Sequence, residues 1–232
     1  MKNQLSCKVV LLLFMISAMV SCESIDSMEL DAKSAIYQEY QVTYNKTRNT
    51  TKVDATFRER TSKGTRITLS GDSKVQFNDE NEDSFSTISH YFYHWKRDKI
   101  MDVTVVFNKN PKTTFVNKFS QKNSADINFV DDFTTFNGRQ KNVIHWKGAA
   151  PKENEQVIVN IYQDKTFSMY ATTEKGADKI EVEGLFSSGF KAGKVKVELI
   201  KKHSYSAINQ SDKDAGGKVS YLTLVEKEVM IK

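Results

Sequence analysis

Val53-Asp54-Ala55-Thr56-Phe57 is the stretch of this 232-residue chain that decides its fold. Val53, Ala55 and Phe57 fall on one side of an extended backbone, and Asp54 and Thr56 fall on the other. That is the period-two pattern of a strand with one buried face. Val195, Val197 and Leu199 alternate with Lys194, Lys196 and Glu198 in the same way. Val157 to Ile161 and Val103 to Phe107 read as strands buried more fully. Turn chemistry separates these runs at Ser62-Lys63-Gly64, Ser70-Gly71-Asp72-Ser73, Asn108 to Pro111, Asn137-Gly138, Gly148 to Pro151 and Gly216-Gly217. No long run carries an apolar face at helical spacing. The pattern predicts an all-β chain folded as antiparallel β-sandwiches.

Both tryptophans stand in the same tripeptide, His94-Trp95-Lys96 and His145-Trp146-Lys147. Similar stretches precede each, Ile67 to Asp72 and Ile127 to Asp132. Similar stretches also follow, Val103-Thr104-Val105 and Val157-Ile158-Val159. The order suggests a diverged duplication with its boundary near Ser120 to Ser124. The expected domains are a first sandwich over 34–121 and a second over 122–232.

Ahead of them, Val9 to Val20 supplies twelve apolar or small residues behind Lys2 and Lys8. The run suits a secretory signal and is too short to span a bilayer as a helix. It ends in Met19-Val20-Ser21-Cys22, which reads as a bacterial lipobox, although leucine is commoner where Met19 stands. Residues 1–21 are therefore expected to be a lipoprotein signal peptide, with Cys22 lipidated and residues 22–33 forming a polar tether. A single acyl chain binds marginally, whereas two or more, at about 0.8 kcal/mol per buried methylene, hold stably. Glu23 is not the aspartate linked to inner-membrane retention, which predicts an outer-membrane address in either leaflet. Loss of Lys2 and Lys8 takes the 34 basic residues to 32 against 29 acidic ones, a net +3 spread along the chain. No dense basic run appears, and nucleic acid is not an expected partner. Cys7 leaves with the signal and Cys22 takes the lipid, so no disulfide or cysteine metal site is expected.

The lipobox, the strands Thr51 to Phe57 and Gly64 to Leu69, and the elements Trp146-Lys147-Gly148, Asn154-Glu155 and Gly216-Gly217 carry a resemblance. The chain resembles a generally uncharacterised family of two-domain bacterial lipoproteins. The resemblance implies tandem immunoglobulin-like β-sandwiches and a location, and it brings over no catalytic or binding residue. Neither tryptophan has the flanking cysteine pair of a disulfide-bonded immunoglobulin core, so a looser immunoglobulin-like sandwich is implied.

Candidate chemistry is sparse. Asp79-Glu80-Asn81-Glu82-Asp83 resembles half a calcium loop, but Ser84 stands where the glycine belongs and His90 where the closing glutamate belongs. A solvated acidic hairpin loop fits better. His90 to Trp95 is the densest aromatic cluster, with Tyr91, Tyr93 and Trp95 on one face of a strand. Exposed, that row would stack on sugar rings; buried, it would fill a core, and packing is the favoured reading. His90 and His94 would need a remote third zinc ligand, and nothing places His145 or His203 nearby. No cofactor is expected.

No nucleophile elbow, zinc-protease helix or phosphate loop is present. Asp131-Asp132 would serve a hydrolase only if both carboxylates faced one substrate, and adjacent strand residues face opposite ways. Lys191, Lys194, Lys196, Lys201 and Lys202 read as the solvated face of an edge strand. The expectation is a non-enzymatic envelope protein, bound to the membrane through Cys22, acting as a binding module for an envelope protein or glycan. The alternatives are an accessory subunit of an envelope assembly, recognising a protein through a sheet edge, and a hydrolase using loop carboxylates.

Overall fold

Alternation at Val53, Ala55 and Phe57 is realised in a ten-residue strand whose three apolar side chains are wholly buried. In the computed structural model the described residues are 24–86 and 92–232. Cys22 with the signal segment, and His90 with Tyr91, lie outside them. The first strands are β1 (Ser24–Asp26), β2 (Ile36–Asn45), β3 (Thr50–Glu59), β4 (Arg66–Thr68), β5 (Lys74–Phe77) and β6 (Glu80–Asn81). Then come β7 (Ser84–Ser86), β8 (Phe92–Arg97), β9 (Val103–Asn110) and β10 (Thr113–Phe119). Beyond residue 120 follow β11 (Asn128–Phe129), β12 (Thr135–Phe136), β13 (Asn142–Lys147) and β14 (Glu155–Gln163). The last are β15 (Thr166–Thr172), β16 (Lys179–Val182), β17 (Gly193–Tyr205) and β18 (Gly217–Ile231). The described chain is all-β, with 3₁₀ turns and no α-helix. No helix among the described residues is long and apolar enough to cross a membrane.

The sheets face each other in two layers, twice over. In the first half β2, β3, β8 and β7 form one layer, and β10, β9, β5 and β6 form the other. Between them lie Tyr40, Phe57, Phe77, Trp95, Phe107 and Phe119. In the second half β18, β17, β14 and β15 face β11, β13 and β16. Their core holds Trp146, Val159, Val197, Leu199, Val225 and Val229. The aromatic-rich first core gains from edge and tilted ring contacts, such as Phe57 with Phe107 at 4.3 Å between centroids.

The halves are joined by more than a linker. β18 runs parallel to β2, from Gly217 beside Gln38 to Leu224 beside Asn45, and so fuses the two inner layers into one 11-stranded sheet. β18 divides its inward side chains: Val219 and Tyr221 enter the first core, while Val225, Val229 and Ile231 enter the second. The connection after β10 is pinned by Asp102, which accepts bonds from Ser120 Oγ at 3.1 Å and from the Gln121 N–H at 2.8 Å.

Three expectations need correction. The two His-Trp-Lys tripeptides do not occupy equivalent strands. Trp95 lies on β8, between β3 and β7 of the long sheet, whereas Trp146 lies on β13 in the three-stranded sheet. The strands that follow are exchanged as well, β9 and β10 in the small sheet but β14 and β15 in the long one. Any strand that buries a tryptophan and turns its neighbours to solvent favours a polar-Trp-polar tripeptide, so the likeness is local. Residues 24–29, expected to belong to a polar tether, are structured. Ser24–Asp26 already pairs with β4, and Asp26 accepts the Met28 N–H at 2.8 Å to start a 3₁₀ turn. Ile25, the middle residue of this short strand, packs against the first core and holds it there. Finally, the lysine-bearing β17 is not an edge: it lies between β14 and β18.

Candidate functional site

Tyr91 lies outside the described residues; Tyr93 and Trp95 are core side chains, 5% and 0% exposed. Tyr93 Oη accepts the Leu69 N–H at 2.6 Å, and its ring lies 4.7 Å from that of Phe85. Trp95 stacks on Phe77 and donates from Nε1 to Glu80 at 2.9 Å. Neither ring is open for a sugar to stack on. Burial pushes the Tyr93 hydroxyl up from 10.0 to about 12, and burial also raises Tyr40 and Tyr44. In the unfolded chain these phenols ionise near pH 10. The stability they contribute is therefore complete below that value and is lost as pH rises through about 12 for Tyr93. Denaturant midpoints measured across that interval should fall steadily, and should fall less in Tyr93→Phe. A flat profile would contradict the buried-tyrosine arrangement.

The acidic stretch is a hairpin whose turn puts Asn78 and Asp79 at positive φ, 48° and 65°, as tight two-residue hairpins require. Its carboxylates serve neighbouring strands. Glu80 and Asp83 both bind the Arg97 guanidinium, and Asp83 accepts the Lys96 N–H at 2.6 Å. His94 turns away from the Tyr93 face and bonds Asp54 through Nδ1 at 2.6 Å, with Lys52 on the other Asp54 oxygen at 3.1 Å. His145 is exposed on β13, and His203 stacks on Tyr205 on β17. No group of three or more His, Cys, Asp or Glu side chains placed to hold a metal occurs among the described residues. Asp131 and Asp132 are both exposed in a turn. Asp131 is ion-paired to Lys147 at 2.6 Å, and this hydrogen bond holds its carboxyl below the usual range.

Of the five lysines, Lys191 and Lys194 are exposed, and Lys194 pairs with Glu228 at 2.7 Å. Lys196 pairs with Glu198 at 2.7 Å. Lys202 is held below its ordinary value, chiefly by burial. Lys201 is 1% exposed, the opposite of a solvated face. Its ammonium donates to the carbonyls of Ala149 and Ala150 at 2.7 and 3.4 Å and lies 3.2 Å from Glu155. Parity carried the signal: Lys201 continues the series Val195, Val197 and Leu199, so it shares their inward face.

The feature that sequence reading left unmarked is β15. A two-residue connection, with Asp164 at φ 51°, returns the chain from β14 into Thr166–Thr172, which pairs with β14 from Gln163–Thr166 to Val157–Thr172. β15 closes one end of the 11-stranded sheet, and among the described residues β14 is its only strand partner. Its residues, Thr166-Phe167-Ser168-Met169-Tyr170-Ala171-Thr172, include no charge and no proline. Phe167 and Met169 are 53% and 61% exposed. The Phe167 ring lies 5.1 Å from that of Tyr162, over which Lys196 Nζ sits at 5.4 Å. Exposed edges are normally blunted by lysine, proline, a bulge or a cover, because unpaired N–H and C=O groups template another strand. β15 has neither of the first two, and its register with β14 is unbroken. What it can do chemically is accept one more strand.

No protein-family model matches this chain, and no curated protein matches it either.

Proposed function

We propose that this protein is a non-enzymatic, lipid-anchored component of a bacterial cell envelope. Its two immunoglobulin-like sandwiches act as an interaction module that receives an extended segment of a protein partner along β15. The uncharged edge with outward Phe167 and Met169 carries this reading. In strand addition the backbone ladder supplies affinity, and side chains at alternate positions supply specificity. The strand order supports the immunoglobulin-like assignment. The layers β2-β3-β8-β7 and β10-β9-β5-β6 correspond to A-B-E-D and G-F-C with an added C′ strand. The layers β11-β13-β16 and β18-β17-β14-β15 correspond to A-B-E and G-F-C-C′, with β12 parallel to β18. The signal run and the lipobox at Cys22 support export and anchoring, and Glu23 supports the outer membrane.

A photo-crosslinking residue placed at Phe167 or Met169 in living cells tests the module. One discrete adduct with an envelope protein is expected from both positions and none from Val143, an exposed residue on β13. Absence of adducts, or the same adducts from Val143, would remove β15 as the interaction site.

A further inference from the structure

The open edge is nearly symmetric about its own midpoint. Thr166 and Thr172 bound β15, and Met169 stands at its centre. Gln163 and Thr166 close the two-residue hairpin with β14, so backbone bonds to β14 fall at Thr166, Ser168, Tyr170 and Thr172. The N–H and C=O groups of Phe167, Met169 and Ala171 therefore point away from β14. These same three residues are exposed.

Two other sheet edges are blunted. Along β10, Gln210 accepts the Val116 N–H at 2.7 Å and Asn209 accepts the Lys118 N–H at 3.4 Å, so a loop covers that edge. β16, at the end of the three-stranded sheet, turns Lys179 and Glu181 to solvent. Charged side chains of that kind keep other strands away. β15 carries no charge of its own. Among the described residues, the space beside Met169 to Thr172 is an open groove rather than packed chain.

We propose that the segment received along β15 is β15 of a second copy of this chain, the two strands running antiparallel about a two-fold axis at Met169. The proposal rests on the reading of β15 as an interaction edge. In that register Met169 faces Met169 of the second copy. Phe167 faces Ala171 of the second copy, a large side chain beside a small one. Each such pair closes with two backbone bonds, because the groups that meet are those turned away from β14. No charge lies within β15, so identical edges meet without repulsion. At either end the Asp164-Lys165 turn of one copy comes beside Glu174-Lys175 of the other, which lets acid meet base. A contact of this kind is isologous and closes at two copies. A single strand edge belongs to the small class of interfaces, below about 1,200 Å². The pairing is therefore sought at cellular density rather than in dilute solution.

Disulfide trapping in intact cells, with a mild thiol oxidant, tests both the partner and the register. Met169→Cys should give a band at twice the chain mass, because facing residues of a bonded pair stand about 5.5 Å apart, within disulfide reach. Phe167→Cys alone should give roughly ten-fold less, since its counterpart lies about 13 Å away along the strand. The band should return when one tagged chain carries Phe167→Cys and a differently tagged chain carries Ala171→Cys. Wild type, with Cys7 and Cys22 in place, sets the background. Equal bands from Met169→Cys, Phe167→Cys and Val143→Cys would mark random collision and overturn the proposal. Absence of the Met169→Cys band overturns it too. A photo-adduct from Met169 with a different protein would then leave β15 as an interaction edge with another occupant, and absence of adducts would remove both readings.

Discussion

Lys201→Met is expected to lower the unfolding free energy by about 3–5 kcal/mol, the cost of leaving a buried partner uncompensated. Lys201 and Glu155 are both inside the second half, and their contact at 3.2 Å is supported from both sides. The ammonium also caps the carbonyls of Ala149 and Ala150, fixing the connection that leads from β13 to β14. Glu155 accepts the Lys152 N–H at 2.9 Å and stands 3.6 Å from His203 Nδ1. A methionine fills similar space but leaves a buried carboxylate facing carbonyl oxygens. The double change Lys201→Met/Glu155→Gln removes both charges and should recover much of the loss. Denaturant midpoints of the two variants decide the matter. A single-variant loss below about 1 kcal/mol, the range of exposed pairs, would mean that the pair is solvated in solution.

The second large effect concerns β18. Since this one strand supplies Tyr221 to the first core and Val225 to the second, the two halves are expected to unfold in a single transition. Tyr221→Ala should shift that transition by about 3–5 kcal/mol. The buried ring lies 6.2 Å from Phe119 and 5.8 Å from Tyr205, and its hydroxyl accepts from Asn123 at 3.2 Å. The chain contains its own reporters, Trp95 in the first core and Trp146 in the second. Fluorescence of Trp146→Phe follows the first half, and fluorescence of Trp95→Phe follows the second. Because each substitution also costs some stability, both proteins should be compared by a second probe, such as far-ultraviolet circular dichroism. In each protein the fluorescence and backbone transitions should coincide. A protein whose tryptophan reports one midpoint while its backbone shows two would demonstrate independent halves, and Tyr221 would then affect only the first.

These two sites also mark where sequence reading stopped. Parity along β17 made Lys201 inward-facing in principle, yet lysine's usual place on the surface outweighed a one-residue extension of the apolar series. The partner, Glu155, lies 46 positions earlier, and its approach is set by the β14–β17 register, which places it opposite His203. Alternation divides Tyr93 and Trp95 from His94, and the structure places them so, with Tyr91 outside the described residues. Whether Tyr93 and Trp95 met solvent or a core depended on the facing sheet. Likewise, nothing in the sequence pattern marks Thr166 to Thr172. That stretch becomes a candidate interaction edge only because nothing among the described residues pairs with its outer side.

The all-β class was legible from local signals alone. Period-two alternation, punctuated by Gly, Asn, Asp and Ser, constrains each strand and turn through its own neighbours. The second half's β16 and the short β1 and β7 alternate, but over only four, three and three residues, runs too short to stand out in sequence. The parallel pairing of β18 with β2, across more than 170 residues of chain, is likewise invisible in sequence. Hydrophobic period tells a strand which face to bury, but it does not say which backbone will lie beside it. That choice is made by the packing of the whole chain. In this protein the packing decided that two cores share one sheet, that a lysine closes one of them, and that among the described residues β14 alone pairs with β15.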